Sequence, residues 1–213
     1  MSRADFIRRS TAIARAPLVP EIALYLATEL TPLWEATETF LAEQDIEPPF
    51  WAFAWPGSQA LARLVLDAPH RVAGRRVLDF AAGCGLAAIA CAMAGAAAVD
   101  AAEIDPLAAE ATAINAALNG VAIAAIARDV VGEPCRWDTV LAGDVCYEAP
   151  MTNHILPWLR GLAEAGAEVI IADPGRAYLP KDRMVPIAAY DVAVTRELED
   201  RDNRQVTLYR LTG

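Results

Sequence analysis

Lysine is nearly absent from this chain of 213 residues: Lys181 stands alone among 18 basic side chains. Arginine-for-lysine usage of this kind is read as a GC-rich coding bias. Histidine is scarce too. His70 follows Pro69 ahead of a turn, His154 stands apart from it, and neither has a metal-ligand or triad-like setting, so zinc and hydrolase chemistry find no support. No G-x-x-x-x-G-K-[ST] loop occurs, which disfavours phosphoryl transfer. The four cysteines, Cys84, Cys91, Cys135 and Cys146, form no C-x-x-C pair, and reduced thiols in a cytosol-like compartment are expected. No apolar run approaches the roughly 20 residues that a membrane helix needs, so a soluble chain without a membrane contact is expected. Positive charge is in deficit, with a formal net charge of −10. A nucleic-acid backbone is therefore a poor partner, and a basic or lysine-bearing protein surface suits the field better. Internal repeats and low-complexity tails are missing, and the length predicts one domain with a full core, preceded by an extension.

What is present centres on residues 77–90. Val77-Leu78 is a short apolar run that ends in Asp79. The small residues Ala81-Ala82-Gly83-Cys84-Gly85 follow, and then an Ala-rich helical segment from Leu86 to Gly95. Strand, glycine loop and helix form the unit that brings backbone N–H groups and a helix N-terminus to a ligand. About 20 residues on, a second apolar segment, 97–103, ends in Glu103, placed to accept hydrogen bonds from a ribose. Together these predict a nucleoside-bearing cofactor. A dinucleotide-binding oxidoreductase needs a third glycine in G-x-G-x-x-G, and Ala88 stands there instead.

Taken in order, residues 3–16 are Arg-rich and amphipathic and are read as a first helix, with a mitochondrial presequence as the alternative. Pro20-Glu21 is read as opening a second helix from Ile22 to Leu30, because Ile22, Leu26 and Leu30 recur at i, i+4. Thr31-Pro32 breaks it, and Leu33 to Gln44 is read as a further short helix. Four aromatics crowd residues 50–55. Phe50 and Phe53 are candidates for a core plug, and Trp51 and Trp55 for lining a pocket. A helix is expected to Asp67. Further helices are expected over 106–119 and 154–165, and strands over 121–127, 137–144 and 168–172. Residues 189–197 and 205–211 alternate like strands around a polar turn at 200–203 and would close the sheet as an antiparallel hairpin. Asp144 then faces the same crevice as Gly83 and Glu103, outside the carboxyl ends of the strands.

The loop Asp79-x-Ala81-x-Gly83-x-Gly85 resembles the D-x-G-x-G-x-G loop of class I S-adenosylmethionine-dependent methyltransferases, with Ala81 in place of the first glycine. An ordered set of motifs narrows this: Phe50-Trp51-Ala52 with Trp55-Pro56-Gly57, Glu103-Ile104-Asp105-Pro106, Gly143-Asp144 with Tyr147, and Asp173-Pro174-Gly175-Arg176. The set is similar to that of the electron transfer flavoprotein beta-subunit lysine methyltransferases, which carry D-x-x-Y after the fourth strand. The resemblance implies a Rossmann-like α/β fold, with a seven-stranded sheet and helices on both faces over residues 50–213. An N-terminal helical extension over 1–49 precedes it. It implies S-adenosyl-L-methionine as cofactor, protein lysine as acceptor, and the flavoprotein beta subunit as substrate. Asp144 and Tyr147 match the catalytic D-x-x-Y positions. Trp55, Asp79, Ala81, Gly83, Gly85, Glu103, Ile104, Asp129 and Asp144 fall at cofactor-facing positions, with Asp129 as an adenine contact. A monomer is expected, in the bacterial cytoplasm or, if residues 3–16 are a presequence, in the mitochondrial matrix. The alternatives are another protein substrate such as ribosomal lysines, a small-molecule acceptor, an NAD-dependent oxidoreductase, or a silent binding module.

Overall fold

The computed structural model describes residues 2–28, 49–193 and 203–213. Seven strands form one sheet in the order β5-β4-β3-β6-β7-β9-β8. They are β3 (Arg76–Phe80), β4 (Ala98–Glu103), β5 (Ala124–Ala127), β6 (Thr139–Gly143), β7 (Glu168–Asp173), β8 (Met184–Ala193) and β9 (Asn203–Leu211). β3 to β7 are parallel; β9 runs antiparallel to β7 and pairs with β8 as the closing hairpin. The helices are α1 (Arg3–Ser10), α2 (Pro56–Asp67), α3 (Leu86–Met93), α4 (Pro106–Leu118) and α5 (Ala149–Glu164).

Successive strand residues supply opposite faces of this sheet. Val77, Leu141, Ile170 and Ala172 pack under α2 and α3, while Leu78, Val140, Val169 and Ile171 pack under Ile155, Leu159 and Leu162 of α5. Burial on both faces explains the near-continuous apolar runs of the central strands. The chain leaves β3 for β4 and β5 on one side, then returns to β6 on the other. That reversal opens a crevice between the loops after β3 and β6, where sheets of this kind hold ligands. Among the described residues, no helix is long and apolar enough to cross a membrane.

The N-terminal segment departs from the expected pair of helices. α1 is a helix, with Ser2 Oγ accepting the Asp5 N–H at 3.1 Å and the Asp5 carboxylate returning the bond. Residues Ala12–Ala16 form β1 instead, and a two-residue turn leads to β2, Val19–Leu26, its antiparallel partner. The spacing of four between Ile22 and Leu26 fits a strand as well as a helix, since four is a multiple of two. Leu24, buried between them, belongs to the strand period. Residues Ile22, Leu24 and Leu26 enter the same core as α2 and α3. The helix read over 33–44, residues 194–197 of the expected strand 189–197 and residues 200–202 of the expected turn 200–203 lie outside the described residues. Elsewhere the differences are at boundaries: α5 begins at Ala149, with Pro150 in its first turn, ahead of the expected His154. β5 and β6 are shorter than expected, and β8 starts earlier, at Met184.

Candidate active site

The loop after β3 is built from left-handed residues: φ is 56° at Ala81, 55° at Gly83 and 79° at Gly85. Ala81, in the place of a glycine, holds the glycine-like conformation at a cost of about 1–2 kcal/mol. Among the described residues a Cβ built on Gly83 meets nothing within 4 Å, so the loop presents an open face to them at Gly83. One on Gly85 would stand 2.8 Å from Thr112 Cγ2, so Gly85 is required by close packing on α4. Asp79 lies beneath the loop, 3% exposed, where its Oδ2 accepts the Ala88 N–H at 2.8 Å. It secures the first turn of α3 and acts on a ligand through the loop, not by lining the crevice. Burial pushes its carboxyl up to about 7.

At the end of β4, Glu103 Oε2 accepts the Gly83 N–H at 3.1 Å and Oε1 accepts the Ile104 N–H at 2.8 Å. Burial raises its pKa, and the backbone N–H groups oppose the rise. Ile104, beside it, is 69% exposed, a large apolar side chain left at the crevice edge. Asp129 follows β5 on the same edge of the sheet. Its Oδ1 accepts the Val131 N–H at 2.8 Å and its Oδ2 lies 3.0 Å from His154 Nε2. Burial raises the Asp129 carboxyl, but the Val131 N–H and His154 outweigh that and leave it below the usual range.

Asp144 follows β6 in a left-handed conformation, φ 56°, which is uncommon for a residue with a side chain and is found at functional sites. Its Oδ2 accepts the Gly57 N–H, in the first turn of α2, at 2.6 Å. Its Oδ1 lies 3.7 Å from an Arg176 Nη. The approach of α2 requires both Gly57 and Gly143, since a Cβ on Gly143 would stand 2.9 Å from Ser58 N. Tyr147, 45% exposed, faces the Phe50 ring at 6.4 Å. Trp55 donates from Nε1 to the Phe50 carbonyl at 2.7 Å, and its ring stands 5.9 Å from that of Phe50. The aromatics thus sort differently from the expectation. Trp51 is 2% exposed among Ile7, Ala108 and Ile114, while Phe50 is exposed beside Tyr147. Pro49 precedes a single 3-10 turn over Phe50–Ala52, which turns Trp51 inward.

Beside Tyr147 a cleft of about 250 Å³ is walled by Gly175, Arg176, Tyr178 and Arg204. Its turn is fixed by Asp173, 1% exposed, whose Oδ1 accepts the N–H groups of Gly175 and Arg176, both at 2.7 Å. Sequence reasoning did not give roles to Gly57, Arg176 or Asn115. The last had a visible signal: Asn115, in an Ala-rich helix, and Asn119, its C-cap, put amides four residues apart. Asn115, fully buried, donates to the Cys84 carbonyl at 2.9 Å and accepts the Tyr25 N–H at 2.8 Å.

Residues 60–143, from α2 to the end of β6, match the family model of ribosomal protein L11 methyltransferase. Among solved structures, the magnesium protoporphyrin IX methyltransferase of Synechocystis superposes with a TM-score of 0.55 at 21% identity, covering 73% of this chain and 79% of that one. That likeness concerns the fold. The electron transfer flavoprotein beta subunit lysine methyltransferase of Danio rerio is 41% identical over 177 residues, 81% of this chain and 67% of the relative. Its counterpart in Xenopus laevis is 38% identical over 203 residues, 92% of this chain and 81% of that protein. A match of that identity over 92% of this chain and 81% of the Xenopus relative, on a sheet of methyltransferase order, places the chain in the electron transfer flavoprotein beta subunit lysine methyltransferase family.

Proposed function

We propose that this enzyme methylates lysine side chains of the electron transfer flavoprotein beta subunit, with Asp144 and Tyr147 handling the lysine. The observation that carries the assignment is Asp144 itself. It is a carboxylate held in a strained backbone conformation and fixed by the Gly57 N–H, on the edge of the sheet that carries Gly83 and Glu103. The crevice suits S-adenosylmethionine: the loop is open above Gly83, Glu103 presents a carboxylate, and Ile104 offers an apolar face. Bound there, S-adenosylmethionine supplies a methyl group on a sulfonium, with no metal required.

Gly83, Gly85 and Glu103 would hold the cofactor, with Ile104, Asp129 and Trp55 at its edges. Asp144 would receive the incoming ammonium group and orient it. The amine must lose a proton before it reacts, since free lysine has a pKa of about 10.4. Tyr147 and Phe50 would wall the channel and hold the amine in line, and alignment of this kind contributes several kcal/mol to lowering a barrier. The match of residues 60–143 to ribosomal protein L11 methyltransferases favours a second reading, in which the lysine belongs to a ribosomal protein.

The experiment is transfer of radiolabelled methyl from S-adenosylmethionine to purified electron transfer flavoprotein and, in parallel, to whole lysate. A dominant band at the beta subunit, mapped to lysine by mass spectrometry, is expected. Label confined to other proteins would discard the flavoprotein as substrate, and no label would discard protein methylation.

A further inference from the structure

We propose that Thr112 and Asn115 are positioning residues for the cofactor, acting through the loop after β3. The proposal rests on the reading of that loop as the S-adenosylmethionine site. Thr112 Oγ1 donates to the Gly83 carbonyl at 3.1 Å, and Asn115 Nδ2 donates to the next carbonyl, that of Cys84, at 2.9 Å. The two donors stand three residues apart on α4 and so share one face of that helix. Thr112 is 1% exposed and Asn115 is fully buried.

The loop, more than the helix, accounts for these two residue types. The other buried positions of α4 are Ala108, Ala109, Ala111, Ile114 and Ala116. Threonine and asparagine are poorer helix formers than alanine, and a buried hydroxyl or amide is costly unless it is bonded. A mid-helix threonine hydroxyl often returns to the carbonyl one turn back, but that of Thr112 leaves its helix for the loop. In a trans peptide the N–H points opposite to the C=O, so holding the Gly83 carbonyl on α4 turns the Cys84 N–H away from that helix. Gly83 is fixed at its other end too, since its own N–H donates to Glu103 Oε2 at 3.1 Å. Glu103 ends β4 and α4 begins at Pro106, so one strand-to-helix unit grips the glycine from both sides. Glycine has the most backbone freedom to lose, and a loop ordered before the ligand arrives spares binding that cost.

The test is the calorimetric dissociation constant of S-adenosylmethionine in Thr112→Val, Thr112→Ser and Asn115→Ala, with melting temperatures alongside. Valine keeps the branched shape and loses the donor, while serine keeps the donor. Titrations run well below every melting temperature, so that each variant is folded when it meets the ligand. Thr112→Val is expected to weaken binding about three- to tenfold, the worth of one neutral hydrogen bond. Thr112→Ser should restore it towards the wild-type value, and Asn115→Ala should weaken it on the same scale. An unchanged dissociation constant in Thr112→Val or Asn115→Ala overturns the proposal, and a lowered melting temperature beside it would mark a role confined to folding. Binding as weak in Thr112→Ser as in Thr112→Val also overturns it, because the loss would then belong to shape and not to the hydroxyl. Gly83→Ala is the control for the underlying reading: unchanged binding there would remove the loop as the cofactor site. Weakened binding in Gly83→Ala with unchanged binding in Thr112→Val would remove the positioning role alone.

Discussion

The Asp144 carboxylate is tied to the Gly57 N–H by a 2.6 Å hydrogen bond, and a Cβ on Gly57 would stand 2.5 Å from the same oxygen. Asp144 thus caps α2 from a position 87 residues further along the chain. Gly57→Ala should force that carboxylate out of place while adding a good helix former to a first turn. We expect kcat to fall about 100-fold, the scale of an ångström-sized misplacement at a reacting centre. Stability should fall as well, because the same Cβ would stand 2.9 Å from the Asp144 backbone N and 3.0 Å from the Ala172 carbonyl oxygen, which outweighs the helix propensity of alanine. Steady-state kinetics beside thermal melting would check this; an unaltered kcat would show that the contact does not orient Asp144.

Gly83 and Gly85 are expected to fail differently when given a side chain. Both hold positive φ, so each alanine carries about 1–2 kcal/mol of backbone strain. Only Gly85→Ala also collides with Thr112. Gly85→Ala should therefore be the more destabilised, and its loss should shrink in a Thr112→Ala background, which a double-mutant cycle measures. Gly83→Ala points its methyl into open space, where a ligand would lie. Its defect should appear in calorimetry as weakened S-adenosylmethionine binding.

Glu103→Gln should weaken S-adenosylmethionine binding about tenfold, the scale of one charge-assisted hydrogen bond. Burial has raised the Glu103 pKa, so protonation reaches it at a higher pH than an ordinary carboxylate. In the wild type, affinity should decline on the acid side of neutrality, and Glu103→Gln should flatten that decline. Isothermal titration across pH 5 to 8 (about the range accessible to a folded enzyme) would show either behaviour.

Asp79 makes the opposite kind of prediction, about stability. Its pKa rises from 3.8 in the unfolded chain to about 7 in the folded one. Below the lower value both states are protonated and its favourable contribution is complete. As pH rises towards 7 the unfolded chain releases a proton that the folded chain keeps, and the contribution is lost, on the order of a few kcal/mol. Asp79→Asn should remove this slope. The wild-type minus variant difference in melting temperature should therefore fall as pH rises from acid to neutral, and a pH-independent difference would contradict the assignment.

The central strands, the glycine loop and Glu103 were legible because each lies within a short window: an apolar run, a turn, a carboxylate at a strand end. Ala81 was visible as a departure from the glycine pattern, and it holds the same left-handed backbone. What the window could not carry was long-range. Gly57 on Asp144 and Asn115 on Cys84 and Tyr25 join residues distant in sequence: the i, i+4 asparagines mark Asn115 locally, but no local window names the partners. The β1–β2 hairpin was misread because a spacing of four satisfies both periods. Trp51 and Phe50 exchanged places because a 3-10 turn, not composition, decides which ring turns inward.

Asn115 gives one amide to two masters. Its Nδ2 holds the Cys84 carbonyl between the two loop glycines, and its Oδ1 holds β2 of the N-terminal hairpin. Docking of the hairpin and ordering of the cofactor loop therefore share a term in free energy, and whatever rigidifies one lowers the entropic cost of the other. With the loop as the proposed cofactor site, the hairpin would then be coupled through Asn115 to the cofactor's binding equilibrium. Amide hydrogen exchange at Tyr25 is where that shared term would be read.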